Sequence, residues 1–125
     1  MIIVEDFLSF RKFISTKLQQ RSDLQVICEV SDGLEAVQKA EALQPDLILL
    51  DVGLPTLNGM EVARQLRDLA PKSKIIFLSQ ETSPEFVQHA ASLGAWGYVF
   101  KANAESDLLA AIDAVLSGRR FFTGA

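Results

Sequence analysis

Short apolar runs alternate with amphipathic segments along the chain, and the alternation repeats five times. The apolar runs, rich in Ile, Leu and Val, predict buried strands at residues 1–4, 24–30, 47–50, 74–78 and 97–100. Apolar positions three and four residues apart predict helices at residues 8–21, 34–43, 59–69, 84–93 and 104–116. The predicted order is therefore strand then helix, repeated to the end of the fifth helix.

Residues typical of helix ends stand at the boundaries of these segments. Asn58, with Glu61 three positions later, resembles a capping box at the start of the third helix. Ser83 followed by Pro84 is typical of a first helical turn, because serine can cap the turn and proline fits its first position. These signals separate the predicted helices from the strands beside them.

The regular alternation predicts an α/β fold in a chain of 125 residues, which is the size of one domain. Parallel strands joined by right-handed crossovers place helices on both faces of the sheet. With five strands, we expect a single flavodoxin-like (βα)5 doubly wound domain with strand order 2-1-3-4-5. The functional crevice of such a sheet lies at the carboxyl ends of its strands, where the winding reverses between strands one and three.

Polar residues follow four of the five predicted strands at their carboxyl ends. Glu5 and Asp6 follow the first strand, and Asp51 follows the third. Ser79 follows the fourth strand and Lys101 follows the fifth. Three crowded carboxylates repel one another unless a cation is present, and their hard oxygen atoms select Mg²⁺. Lys101 could then bind a phosphoryl oxygen, and Ser79 could donate a hydrogen bond to one.

The loop after Asp51, with the sequence VGLPTLNG, suits this chemistry. Gly53 lets the chain approach the ion and leaves its backbone carbonyl accessible to the metal. Pro55 keeps Leu54 extended, and Asn58 starts the next helix. The loop composition therefore agrees with a metal and phosphate site at this edge of the sheet.

Four short motifs together carry a family resemblance: IIVEDF, LLDVGLPTLNG, IIFLSQ and GYVFK. They resemble the receiver domain of bacterial two-component response regulators over the whole chain. The resemblance implies that Asp51 is a nucleophile that takes a phosphoryl group from the phosphohistidine of a sensor histidine kinase. It also implies that Asp6, Asp51 and the Gly53 carbonyl hold Mg²⁺, with Glu5 assisting through water. Such a domain is not an enzyme in the usual sense, because it catalyses only its own phosphorylation and dephosphorylation.

A conformational switch is also implied by the resemblance. In receivers, the hydroxyl at the position of Ser79 turns toward the phosphoryl group, and the aromatic side chain at the position of Tyr98 moves inward behind it. Tyr98 has a second interpretation as a strand residue that only packs, since aromatic residues favour strands. Ala102 departs from the pattern, because many relatives have proline after the lysine. Helix four, strand five and helix five would form the output surface.

The stretch ESDLLAAIDAVLSGRRFFTG resembles the end of receivers in the NarL/LuxR-type transcription regulators. We therefore expect residues 1–118 to form the receiver domain and residues 119–125 to begin a linker or C-terminal tail. The expected output is a helix-turn-helix DNA-binding domain that this chain lacks, with a homodimer left open. A stand-alone receiver and a phosphorylation-independent dimerisation module are the alternatives. Phe121 and Phe122 are interpreted as core or domain-edge packing.

Composition and motif positions exclude several other functions. The net charge of −4 disfavours direct contact with nucleic acid or an anionic membrane. No apolar run approaches the length of a membrane span, and the single cysteine, Cys28, suits a reducing compartment, so we expect a cytoplasmic protein. A phosphatase of the haloacid dehalogenase type would need aspartate where Gly53 stands. A flavin or nucleotide binder would need small residues in place of EDFLSF after the first strand.

Overall fold

Six parallel strands form one sheet in the computed structural model, which describes residues 1–122. The order across the sheet is β2-β1-β3-β4-β5-β6, and every neighbouring pair is parallel. The strands are β1 (Ile2–Val4), β2 (Cys28–Val30), β3 (Leu47–Asp51), β4 (Lys74–Ser79), β5 (Gly97–Phe100) and β6 (Phe121–Phe122).

Five helices connect or follow these strands, and a short 3₁₀ turn at Lys101–Asn103 precedes the last of them. Within residues 1–122, none of the helices has the length and apolar character needed to cross a membrane. The helices are α1 (Leu8–Gln19), α2 (Gly33–Leu43), α3 (Gly59–Leu69), α4 (Pro84–Ser92) and α5 (Ala104–Leu116).

The central strand β3 is buried on both of its faces. Ile48 and Leu50 belong to a core cluster that also contains residues of α2, α3 and α4. Leu47 and Leu49 belong to the opposite cluster, which α1 and α5 complete. Helices thus cover both faces of the sheet, as predicted for a parallel arrangement with near-continuous apolar strands. The chain enters the polar carboxyl edge at Asp51, the last residue of β3.

The predicted α/β class and the order 2-1-3-4-5 are confirmed, but the expected number of five strands was wrong. A sixth strand, β6, pairs with β5 through Gly97 with Phe121 and Tyr98 with Phe122. Two residues are too few to give a periodic apolar signal, so the sequence pattern did not reveal this strand. The remainder of the expected tail, residues 123–125, lies outside the described residues.

The second strand is also shorter than predicted. The sequence pattern indicated residues 24–30, whereas only Cys28–Val30 pair with β1. Strand β1 begins at Ile2, which pairs with Cys28. The segment before Cys28 bonds to Met1, whose carbonyl accepts from the N–H of Ile27 at 2.9 Å and whose amino group donates to the carbonyl of Gln25 at 2.8 Å. Leu24 and Val26 still pack against the core without joining the sheet.

Two of the predicted helix starts are confirmed by their hydrogen bonds. Asn58 Oδ1 accepts from the backbone N–H of Glu61 at 3.0 Å, which caps α3. The Glu61 carboxylate does not complete a capping box but binds Arg64 and Gln65 instead. Ser83 caps α4 by accepting from the N–H of Phe86. The start of α3 matters for function, because the loop before it carries Gly53 and follows Asp51.

Two cations and a tryptophan fix the end of the described chain. Arg120 and Lys74 each lie 4.4 Å from the centre of the Trp96 ring. Arg120 Nη1 also donates to the carbonyl of Ala95 at 2.8 Å. These contacts tie the segment before β6 to the segment before β5, so the described chain ends beside the strand that carries Tyr98.

Candidate functional site

A cleft of about 670 Å³ opens at the carboxyl ends of the strands. Five of the predicted residues line this cleft: Asp6, Asp51, Gly53, Ser79 and Lys101. The structure therefore brings the predicted side chains from separate strands to one edge of the sheet. The other two predicted residues, Glu5 and Tyr98, are fully buried in the molecule.

Lys101 bridges two carboxylates in this cleft. Its Nζ atom lies 2.9 Å from Glu5 Oε1 and 3.2 Å from Asp51 Oδ1. The Lys101 side chain is 13% exposed, so water screens these ion pairs only weakly. Glu5 follows β1 and Asp51 ends β3, so this single ammonium balances carboxylate charges from two different strands.

Glu5 is held in a defined position although its side chain is completely buried. Its Oε2 atom accepts from the backbone N–H of Phe7 at 3.1 Å. Its Oε1 atom pairs with the ammonium of Lys101 at 2.9 Å. Burial raises the pKa of the Glu5 carboxyl above its usual value, although the hydrogen bond from Lys101 works in the opposite direction. Glu5 thus depends strongly on Lys101 for its charge.

Three carboxylates converge within a space that one metal ion could fill. Oxygen atoms of Glu5, Asp6 and Asp51 all lie within 4.8 Å of one another. Asp6 is exposed, whereas the other two are buried, so the cluster is open to solvent on one side. A cluster of hard oxygen donors that is open to solvent on one side fits Mg²⁺, because this ion keeps several of its water ligands when it binds protein.

The backbone after β3 also contributes to Asp51. The N–H of Gly53 donates to Asp51 Oδ1 at 3.3 Å. Asp51 itself is only 5% exposed. Its Oδ1 atom contacts both this N–H and the ammonium of Lys101. The predicted role of the Gly53 carbonyl as a metal ligand remains a prediction.

Close packing in the loop depends on glycines other than Gly53. A Cβ atom at Gly59 would lie 2.2 Å from the carbonyl oxygen of Asp51, and one at Gly33 would lie 1.8 Å from that of Leu57. A Cβ atom at Gly53 would meet no described atom within 4 Å. The Asn-Gly pair that opens α3 was the available sequence signal, but the need for glycine at 59 follows from the path of the chain back toward Asp51.

We expect Gly59→Ala to lower the free energy of unfolding by about 3 kcal/mol, at the upper end for overpacking, because backbone atoms cannot move aside as a flexible side chain can. Gly53→Ala is the matched control and should change this free energy by less than about 0.5 kcal/mol. Urea unfolding followed by circular dichroism measures both variants. Equal losses in the two variants would contradict the described loop packing.

Ser79 and Tyr98 meet at the backbone of one residue, Glu81. Ser79 Oγ accepts from the N–H of Glu81 at 2.9 Å, and the Tyr98 hydroxyl donates to the Glu81 carbonyl at 2.8 Å. The Tyr98 ring also packs beside Phe77 and Phe100, with ring centres 6.2 and 5.9 Å apart. Burial is the main reason that the pKa of Tyr98 lies above its usual value. Tyr98 is thus a packing residue that also holds the loop after β4.

The segment after Lys101 continues smoothly into α5. The 3₁₀ turn Lys101–Asn103 contains Ala102, and the described chain has no cis peptide bond. Lys101 begins this turn and projects into the cleft between Glu5 and Asp51. The departure at Ala102 is therefore compatible with a lysine placed against both carboxylates.

Comparison with known proteins matches residues 1–113 to the response regulator receiver domain. The chain is 33% identical over 102 residues to the DNA-binding transcriptional activator EvgA of Escherichia coli K12, covering 82% of this chain and 50% of EvgA. It is 31% identical over 125 residues to the nitrate/nitrite response regulator NarL of the same strain, covering all of this chain and 58% of NarL. The chain thus spans about half to three-fifths of the length of these curated relatives.

The fold is also similar to that of solved response regulators. A two-component response regulator of the LuxR family from Aurantimonas sp. SI85-9A1 superposes with a TM-score of 0.93 at 28% identity, covering 98% of this chain and 88% of that one. The similarity to NarL and LuxR-type regulators that the C-terminal motif indicated is therefore confirmed. Family match, relatives and fold agree, and the chain belongs to the response regulator receiver domain family, homologous to transcriptional regulators of two-component systems.

Proposed function

We propose that this receiver accepts a phosphoryl group on Asp51 from the phosphohistidine of a sensor histidine kinase. The observation that carries the proposal is the position of the Lys101 ammonium, 3.2 Å from Asp51 Oδ1, beside the cluster of three carboxylates. Phosphoryl transfer requires positioning and charge neutralisation more than covalent assistance, and this cleft offers both. The resulting acyl phosphate would be the signalling state of the domain.

Asp51 acts as the nucleophile in this proposal. Both donors that the described residues bring to its carboxylate bind Oδ1, so we assign the attack to Oδ2. A bond forms between Oδ2 and phosphorus while the bond from phosphorus to the histidine nitrogen breaks. The electron pair of the broken bond stays on the histidine ring. No external oxidant or further cofactor is needed for the atoms and charges to balance.

Mg²⁺ is the cofactor that fits the donor set. We assign Asp6, Asp51 and the Gly53 carbonyl as its ligands, with Glu5 acting through water. Bound Mg²⁺ would supply positive charge for the phosphoryl oxygens. Asp6 provides the exposed side of the cluster and Asp51 the buried side, so the acidic groups span the mouth of the cleft.

Lys101 and Ser79 bind the incoming phosphoryl group. Lys101 exchanges part of its contact with Glu5 and Asp51 for a phosphoryl oxygen, which keeps its charge balanced throughout. Ser79 lies at the end of β4 in the same cleft, and a serine hydroxyl can donate to a phosphoryl oxygen while its oxygen accepts from the N–H of Glu81. These two side chains approach from separate strands, so they can recognise different oxygens.

The switch follows from the shared contact at Glu81. When Ser79 turns toward the phosphoryl group, the Glu81 N–H loses its acceptor. The Glu81 carbonyl is bound to Tyr98, so a shift of this loop changes the position of that ring and of the start of α4. Phosphorylation then biases a pre-existing equilibrium between two loop arrangements. The output surface would be α4, β5 and α5.

The partners in this proposal are a sensor histidine kinase in the cytoplasm and a DNA-binding output domain. EvgA carries DNA-binding activity in its name, and the chain covers half of EvgA. We propose that residues 1–118 form the receiver unit and that residues 119–125, which include the edge strand β6, begin the linker to a helix-turn-helix domain. Pairing of β6 with β5 supports an exit of the linker beside Tyr98.

Millimolar Mg²⁺ should raise the melting temperature of the wild type, because the ion binds the folded carboxylate cluster. A concentration tenfold above the dissociation constant corresponds to about 1.4 kcal/mol of added stability. Asp6→Asn should reduce the rise, whereas Asp46→Asn, an exposed carboxylate at the other end of β3, should leave it unchanged. Thermal unfolding at constant ionic strength measures the effect, and a wild type indifferent to Mg²⁺ would contradict the metal assignment.

A further inference from the structure

Lys101 has a third contact besides its two carboxylates. Its Nζ atom lies 4.9 Å from the centre of the Phe10 ring. Phe10 is the third residue of α1, so this contact joins the helix after the acidic pair to the end of β5. Aromatic rings within about 6 Å of an ammonium attract it through the negative charge of their faces.

The phenylalanine contact differs from the carboxylate contacts in what happens when a phosphoryl group arrives. Glu5 and Asp51 compete with phosphoryl oxygens for the hydrogens of Lys101, because all of them are anionic acceptors. The ring of Phe10 carries no net charge and accepts no strong hydrogen bond. It can therefore keep the ammonium in place without neutralising it.

The surroundings give Lys101 few other restraints. The turn that follows it contains Ala102, so no proline ring fixes the backbone there. Phe10 in turn is held by Phe13, with ring centres 5.4 Å apart. Both rings line a cavity of about 450 Å³ beside the cleft, together with Lys101 and Ala102. The lysine thus stands between a carboxylate pair on one side and a supported aromatic wall on the other.

We propose that Phe10 is a positioning residue for Lys101, whose ring face holds the ammonium ready for the phosphoryl oxygens. The inference rests on the proposed function, since it assigns Phe10 a part in the same transfer. Holding a charged group in its productive place removes an entropic cost from the reaction. Loss of the ring face should slow phosphoryl transfer by about 3- to 10-fold, the range that a partly exposed ammonium–ring contact provides.

The first test measures phosphorylation with acetyl phosphate and Mg²⁺, in which Asp51 Oδ2 bonds to phosphorus and acetate leaves. We expect Phe10→Leu to be slowed about 3- to 10-fold, and Phe10→Trp to restore the rate because indole binds cations more strongly. Phe121→Leu is the matched control, since Phe121 is a half-buried phenylalanine of β6 that lines neither this cavity nor the cleft. Phenylalanines with increasing numbers of ring fluorines at position 10 should give a graded decline, because fluorine withdraws charge from the ring face while largely keeping its shape.

A second readout is independent of phosphorylation. The ring of Phe10 should shift the NMR resonances of the Lys101 side chain upfield, and the shift should vanish in Phe10→Leu and persist in Phe121→Leu. Absence of this shift in the wild type would overturn the contact. A shift that is present, with equal phosphorylation rates in all variants and across the fluorine series, would overturn the positioning role. If the wild type takes up no phosphoryl group, the proposed function and the catalytic meaning of the contact fail together, while the resonances still report whether Phe10 orients Lys101.

Discussion

Lys101→Met should lower the free energy of unfolding by about 3 kcal/mol at neutral pH. The side chain of Glu5 is completely buried, and the variant would remove the ammonium that lies 2.9 Å from its Oε1 atom. Removing one partner of a buried ion pair leaves the other charge without compensation, which usually costs about 3–5 kcal/mol. The lower end applies here because the cleft is open to water above Asp6. Urea unfolding in the presence of a chelator measures the loss.

A second substitution separates loss of charge balance from general damage. Glu5→Gln in the Lys101→Met background should recover most of the lost stability, since an amide needs no counter-charge. Lys72→Met replaces an exposed lysine between α3 and β4 and should change the free energy of unfolding by less than about 0.5 kcal/mol. If Lys101→Met were as stable as Lys72→Met, the ion pair would not be important to the fold.

Asp51→Asn should abolish the phosphoryl adduct that the wild type forms with acetyl phosphate and Mg²⁺. The amide is uncharged and is a poor nucleophile, and it also removes a carboxylate from the proposed metal site. We expect a decrease of at least about 100-fold, the size of effect seen when one essential group of a charged site is lost. Intact-mass measurement of both proteins after the same incubation tests this expectation.

The matched control for this prediction is Asp46→Asn, which alters an aspartate at the opposite end of the same strand. This variant should take up the phosphoryl group at the wild-type rate. An undiminished adduct in Asp51→Asn would mean that another residue is the nucleophile. A decrease of similar size in Asp46→Asn would point to a folding defect rather than to chemistry at position 51.

Much of the fold could be predicted because parallel α/β proteins have a strong sequence pattern. The run LILLD is buried on both faces in the structure, and its near-continuous apolar character was the signal. Once strand order was predicted, the carboxyl ends of the strands had to meet, which placed Glu5, Asp51 and Lys101 at one edge. Their distances confirm that these side chains come together, although their roles in phosphoryl transfer remain proposals.

Features set by the exact path of the chain could not be predicted. Strand β6 has two residues, so it carries no periodic signal, and its pairing depends on where the chain turns after α5. The contact of Tyr98 with the Glu81 carbonyl depends on the conformation of a loop. The need for glycine at 59 depends on how closely that residue approaches Asp51. Each case involves backbone proximity, which residue types alone do not specify.

The pairing of Glu5 with Lys101 was not predicted for a different reason. Sequence reasoning assigned Lys101 to a phosphoryl oxygen and Glu5 to a metal-bound water, and both assignments concern ligands. In the structure the two side chains bind each other, because a buried carboxylate and a nearby ammonium each lower the other's cost of burial. The contact of Phe10 with Lys101 was also not predicted, since an aromatic residue at helical spacing is typical of a core and does not indicate a lysine above its ring.

The central claim is that Asp51 accepts the phosphoryl group, and identifying the residue that carries this group tests it most directly. Wild-type protein is incubated with acetyl phosphate and Mg²⁺ and then reduced with borohydride, which converts an acyl phosphate of aspartate into homoserine. Tandem mass spectrometry of the peptides should find homoserine at position 51, only when Mg²⁺ was present. Homoserine at another aspartate, a stable phosphate on serine or histidine, or no modification under any condition would contradict the account. The last result would favour a receiver that signals without phosphate.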